Sequence, residues 1–440
     1  MVIGGGYTGM WTAWQLLEQG ADVVLLESGV CGHGPSGRNG GFCESLWLSA
    51  PALRERFGDR PARALLDASS DAVSRVGAWC EDQDIDAWFA QSGYMCVSTA
   101  PAFDAIGRAA VEAATALGAP GRVVELTPEQ LRSRCASPRF RRGIFIADFA
   151  TLHPARLALG LRRRLIERGV RIFENSRVSG LRSLGRSRNG DTRGVSVEAA
   201  AGRVQAGAAV LAVGPAVRAV PELRSRLTVT SSHIVLTEPV PDVIAELGWT
   251  GGECITDGRT LVHYFRTTRD GRILLGWGGG RLAYGAHVNG RVEVDPKVAG
   301  VTRAALERLF PGLRGRRITH AWGGPIDVSP SHIPQIGTFP GTAVHYSFGY
   351  TGNGVGPSHL AGRVLASLAL DRRDELTSLP MVEAGPGAWV PPEPMAWLGG
   401  SLVRGALIRR ERIEEDGRKP DPLTRAVCAV PRALGMHLGR

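Results

Sequence analysis

The chain has 440 residues, 43% of them hydrophobic, enough for about two or three domains with a sizeable core, and no apolar run approaches the ~18–20 residues that cross a bilayer. Its net charge is +10, yet Lys297 and Lys419 are the only lysines among 52 basic residues; that skew reads as scattered, solvated arginine, and no nucleic-acid partner is expected. The seven cysteines form no C-x-x-C pair and the ten histidines no H-E-x-x-H pattern, which predicts reduced thiols and no metal site.

The chain opens on Val2-Ile3-Gly4-Gly5-Gly6-Tyr7-Thr8-Gly9, which carries the G-x-G-x-x-G spacing between an apolar strand and a helical pattern from Met10 to Glu18. A second apolar strand, Ala21 to Leu26, ends in Glu27. This is the βαβ pattern of dinucleotide binding. Gly4 permits the tight turn, Gly6 lets a pyrophosphate approach the backbone, and Gly9 lets the helix pack close to the sheet. The helix N-terminus, at Tyr7 and Thr8, offers N–H groups to phosphate. Glu27 is placed to accept from ribose hydroxyls. The first strand looks clipped, as if the true start lay upstream, and the glycine turn at Gly4 leaves no room for a signal peptide, so a cytoplasmic protein is expected.

A glycine-rich loop, Gly32 to Phe42, follows directly and carries Ser36, Arg38, Asn39 and Gly40. Helices are predicted from Ala50 to Gln83, a strand pair at Ala87–Phe89 and Gly93–Ser98, and a helix over Ala102–Leu117. Thr127 caps a short helix with Pro128 at its first position and Gln130 at its third. A strand at Gly143–Ile146 leads into His153-Pro154-Ala155-Arg156-Leu157, the entry to a helix ending near Arg168. The chain is expected to rejoin the first domain around Val178, form a hairpin over Thr192–Gln205, and add a buried strand, Ala208–Val213, that ends at Gly214. From Ser232 to Glu307 the pattern becomes antiparallel, with Asp270-Gly271 as a hairpin turn. His320–Asp327 reads as the crossing back, Val344–Gly349 as a last strand, and Gly352-Asn353-Gly354-Val355 as the start of a helix running to Leu370. A proline-rich link then leads to a basic helix, Ser401–Glu415, expected to pack on the protein itself and, failing that, at an anionic membrane surface.

The glycine fingerprint with Glu27, the loop Ser36-Gly37-Arg38-Asn39-Gly40-Gly41, the His153–Leu157 helix entry and the closing Gly349-Tyr350-Thr351-Gly352-Asn353-Gly354 occur in one order. Over roughly residues 1–370 they are similar to the FAD-dependent D-amino acid oxidase superfamily, on the branch of the γ-glutamylputrescine oxidase-like amine oxidases. The resemblance implies an α/β (α+β overall) fold: a Rossmann-like FAD-binding domain with an antiparallel-sheet substrate domain inserted, plus a helical tail. The expected ranges are 1–85, 145–231 and 320–375 for the FAD-binding domain, 86–144 and 232–319 for the substrate domain, and 376–440 for the extension.

It further implies non-covalent FAD. Glu27 would hold the adenosine ribose; Gly4, Gly6 and Gly9 the pyrophosphate; Ser36, Arg38, Asn39 and Gly40 the stretch toward the flavin. Val178 would contact adenine, and Gly352, Asn353, Gly354 and Val355 would face the flavin's pyrimidine end. Some relatives attach flavin through a cysteine ahead of the final glycine motif, but no cysteine lies between Cys254 and Cys428, so that linkage is excluded. Other relatives clamp a substrate carboxylate with an arginine just after a W-x-G turn. Here Trp322-Gly323 is followed by Gly324, Pro325, Ile326 and Asp327, which favours a cationic amine over a simple amino acid. Tyr264 and Arg266, on a strand expected to roof the flavin, and Trp322 are the candidate substrate contacts. Oxygen or another acceptor would take the electrons. The rival readings are an NAD(P)-dependent dehydrogenase and a flavin domain acting on modified tRNA.

Overall fold

The computed structural model describes residues 1–185, 194–288, 290–385 and 388–436. Strand β1 (Val2–Ile3) lies at the centre of a six-stranded sheet, between β2 (Val24–Leu26) and Ala209–Leu211, both parallel to it. Arg171–Phe173 and Val344–Phe348 extend the parallel order on either side, and Gln335–Thr338 closes one edge antiparallel. Helix α1 (Tyr7–Glu18) crosses one face and buries Met10, Trp11 and Trp14. It meets the helix Val355–Ala369 at very short range, because Gly362 stands where a Cβ would lie 2.6 Å from Trp11 Cβ. This is the expected Rossmann-like α/β layer, and a three-stranded meander spanning Val178–Ala206 flanks it. The start of the expected hairpin, Thr192, lies outside the described residues.

The expected antiparallel layer is an eight-stranded sheet, antiparallel throughout except where Cys254–Asp257 runs parallel to Tyr94–Ser98. Thr228–Thr237, Ile273–Trp277, His263–Thr267 and Cys254–Asp257 form its middle. Period-two alternation splits its residues between two faces. Val235, Phe265 and Leu275 join a second core with Trp249 and Phe310. Thr230, Ser232 and Tyr264 face the first domain's loops instead. The Asp270-Gly271 turn closes the hairpin with Thr267 opposite Ile273, and Gly271 takes φ +75°. Thr127 and Gln130 form the anticipated reciprocal cap.

The structure departs from expectation in four places. Ala87–Phe89 is not a strand: Trp88 has φ +55°, and only Ala90 makes a bridge, to Thr151. The helix expected from Ala102 begins at Arg108, because Gly107 at φ +77° interrupts the run. His320–Asp327, expected as the crossing back between domains, lies inside Ile318–Val328, the long edge strand of the eight-stranded sheet, which pairs with Thr228–Thr237 along its length. The tail helix starts at Met395 and runs to Glu415, and a second helix, Pro422–Ala433, packs beside it. Among the described residues no helix is long and apolar enough to cross a membrane, and all seven cysteines are buried free thiols.

Candidate active site

One cavity of ≈ 1730 Å³ runs from the β1–α1 turn to the face of the eight-stranded sheet. Its near end is built by close backbone approach. Gly4 has φ +105°, and a Cβ there would lie 2.3 Å from Ala212 O. A Cβ on Gly9 would lie 1.9 Å from Gly4 O, so Gly9 does not line the cavity but sets the height of its floor. Glu27 Oε2 accepts from Gly5 N at 2.7 Å and Oε1 from Gly29 N at 2.7 Å, which fixes the carboxylate against the turn. The Ser36 hydroxyl accepts from Tyr7 N at 2.8 Å, and the Thr8 hydroxyl donates to Tyr350 OH at 2.8 Å.

The short helix Pro35–Arg38 carries the loop onward. Asn39 holds it by donating to Ser36 O at 2.7 Å and accepting from Gly41 N at 2.8 Å. Arg38 pairs with Glu293 at 2.8 Å across the two layers. Gly40 is the pivot: its carbonyl accepts from Arg266 Nε at 2.6 Å, and a Cβ would lie 2.8 Å from Tyr264 Cε2. Besides the one-turn helix Pro35–Arg38 behind Gly34, two long helices open on the cavity with glycine N-caps and no side-chain cap, α1 behind Gly6 and Val355–Ala369 behind Gly354. Gly214 (φ +51°) and Gly352 (φ +87°) also line it, with no atom within 3.5 Å of where a Cβ would stand.

All the cofactor candidates except Gly9 line this one cavity, Val178 and Asn353 included. Of the three substrate candidates only Tyr264 does. Its hydroxyl shares a 2.6 Å hydrogen bond with Ser232 Oγ, and burial pushes the phenol up to about 12, so it is neutral. Arg266 is spent elsewhere: besides Gly40 O, it donates to Leu152 O at 2.9 Å and Thr267 O at 3.0 Å. Trp322 Nε1 donates to Arg38 O at 2.8 Å on the outer side of the loop, away from the cavity. His263, on the opposite strand face as its position dictates, is buried against Asp257 at 2.6 Å.

Two contributors are not among the candidate site residues. Asp327, from the edge strand, accepts from Gly349 N at 2.6 Å; burial pushes its carboxyl up to about 6. The tail helix covers the sheet end of the cavity through Gly400, Val403, Arg404 and Leu407.

The glycine-lined cradle, the two uncapped helix N-termini and a fixed carboxylate on the second strand fit an elongated dinucleotide carrying a pyrophosphate. The FAD dependent oxidoreductase (DAO) family model matches residues 1–368. The chain is 30% identical to the gamma-glutamylputrescine oxidoreductase of Escherichia coli over 86% of both chains. It is 29% identical to the probable oxidoreductase OrdL of Rhizobium meliloti, over 92% of this chain and 89% of that one. Among solved structures, glycine oxidase from Geobacillus kaustophilus superposes with a TM-score of 0.69 at 18% identity, covering 87% of this chain and 96% of that one.

Proposed function

The chain belongs to the FAD dependent oxidoreductase (DAO) family, and on that premise we propose that it oxidises the C–N bond of a small amine by hydride transfer to non-covalently held FAD. With FAD the family's cofactor, the NAD(P)-dependent alternative gives way. One observation carries the reading: a single cavity joins the dinucleotide cradle at Gly4–Gly6 to the sheet face bearing Tyr264 and Ser232. When bound, FAD would supply the two-electron acceptor. Glu27 would hold the adenosine ribose, and Val178 would lie at the adenine. Gly4, Gly6 and the first turn of α1 would face the pyrophosphate, while Gly352 to Val355 would set a helix N-terminus at the flavin's pyrimidine end.

The protein's own groups bind and orient. Tyr264, neutral and fixed by Ser232, presents an aromatic wall and a hydroxyl to the substrate rather than a base. Arg266 locks the Gly40 loop to the sheet at the junction of the two layers. The absence of an arginine after Trp322-Gly323 and the likeness to a gamma-glutamylputrescine oxidoreductase both favour an amine of that kind over glycine. Purified protein supplied with FAD should show a flavin band near ~450 nm, and denaturation should release all of that flavin into solution. Protein that stays colourless, or flavin that stays with the precipitate, would contradict the proposal.

A further inference from the structure

The arginines that line the cavity differ in how their charge is met. Arg38 pairs with Glu293, and Arg259 pairs with Asp257 at 3.0 Å and Glu415 at 2.7 Å. Arg177 is exposed, next to Val178 at the adenine end. Arg404, on the tail helix, is half-buried at the sheet end and has no carboxylate within ion-pair distance among the described residues. It is held instead by backbone carbonyls: Nη2 donates to Gly279 O at 2.7 Å and Nε to Gly279 O at 3.0 Å, with Gly280 O also in reach. Nη1 makes no hydrogen bond to the described residues. Burial, then the nearby Arg281, push this guanidinium below its ordinary value, with Asp295 opposing. A partly desolvated cation with an unmatched face is costly unless an anion meets it.

Its position is tied to the substrate candidates. Gly279 and Gly280 follow Trp277, whose carbonyl accepts from Ser232 Oγ at 3.0 Å, and Ser232 in turn holds Tyr264 OH. The tail helix reaches these carbonyls because Gly400 packs where a Cβ would lie 2.3 Å from Leu282 Cδ2. The helix is then fastened beyond Arg404. Glu411 accepts from Leu261 N at 2.9 Å, and Glu415 pairs with both Arg259 and Arg308. Arg404 therefore sits on a docked element, at the end of the cavity where Tyr264 lies, with donors to spare.

We propose that Arg404 is the residue that receives a carboxylate on the substrate, so that the C-terminal extension, beyond the matched residues 1–368, selects an amine bearing a distal carboxylate. This rests on the amine-oxidising reading of the same site. A guanidinium held through Nε and Nη2 still presents a planar edge to one carboxylate, which a lysine at the same place would not reproduce.

The test is calorimetric titration of glutarate, a carboxylate probe without an amine, into the FAD-loaded full-length protein. Wild-type protein should bind it, and Arg404→Ala should bind about 10- to 100-fold more weakly, the scale of one lost charge-assisted hydrogen-bonding group. Arg404→Lys should recover part of the loss, and binding of n-pentylamine should be the same in wild type and both variants. Flavin content and Tm report whether the tail stays docked. If Arg404→Ala lowers them, Arg404→Gln, which keeps an N–H for Gly279 O, reads the charge alone. Glutarate binding that is absent in wild type, or unchanged in Arg404→Ala or Arg404→Gln, would overturn the assignment. A protein that takes up no flavin would defeat the function reading instead, and the same titration on flavin-free protein still reads Arg404.

Discussion

Gly9→Ala should cost the protein most of its flavin. The new Cβ would sit 1.9 Å from Gly4 O, a backbone atom in the turn proposed to face the pyrophosphate. Gly4 cannot yield easily, since it already has φ +105° and packs against Ala212 O on its other side. Overpacking of this kind costs roughly 1–3 kcal/mol, or about a 5- to 150-fold weaker FAD complex if the strain falls on the turn. Gly300→Ala is the control: that glycine is exposed inside the helix Pro296–Leu309, with nothing within 4 Å of its would-be Cβ. It should leave FAD affinity unchanged and raise Tm slightly. Flavin-to-protein absorbance ratios and FAD titrations check both. A Gly9→Ala variant with wild-type FAD affinity would mean that the turn is not the pyrophosphate site.

Arg266→Ala should unfold the protein more readily rather than blunt its substrate preference. Arg266 is 5% exposed, and burial pushes its guanidinium down to about 10, so it remains charged at pH 7. Truncation strands the buried carbonyls of Gly40 and Leu152 and leaves a gap beneath Gly41. Each stranded acceptor costs about 1–3 kcal/mol, so a total loss of roughly 3–5 kcal/mol is expected. Arg266→Lys should recover little, because one ammonium cannot span carbonyls on both sides of the junction. Denaturant unfolding monitored by tryptophan fluorescence reads the loss. The opposite outcome, an unchanged unfolding midpoint with a large rise in KM, would make Arg266 a substrate contact after all.

These two residues also mark how far a linear reading reaches. The Gly4–Gly6–Gly9 turn and Glu27 are legible because a βαβ unit is local: strand, turn, helix and acid all lie within the first 27 residues. Strand parity places Tyr264 and Arg266 on one face and His263 on the other, and the structure has them so. Parity says nothing of what waits across the gap. Arg266 meets Gly40 and Leu152, 226 and 114 positions away in the chain, and its cation is consumed there. Trp322 went the same way, since its segment joins the sheet as an edge strand and its indole reaches Arg38 O rather than the cavity.

The tail was hardest to read. Its long helix fully buries only Leu407 and Glu411, while Leu398 and Leu402 are exposed, so its apolar pattern does not mark the face that packs. Polar anchors dock it, from Arg404 to Glu415, and their partners on residues 259–280 and 308 become visible only when the chain is folded. The expectation that the helix packs on the protein matches that docking.

FAD in this cavity is proposed to accept hydride from an amine. The most direct measurement is anaerobic addition of γ-glutamylputrescine, putrescine, sarcosine, glycine and D-alanine to the FAD-loaded protein, following absorbance near ~450 nm. Bleaching by an amine of the panel, with γ-glutamylputrescine faster than putrescine because it brings a carboxylate to Arg404, is the predicted result. A flavin that dithionite bleaches and none of these amines does would contradict it.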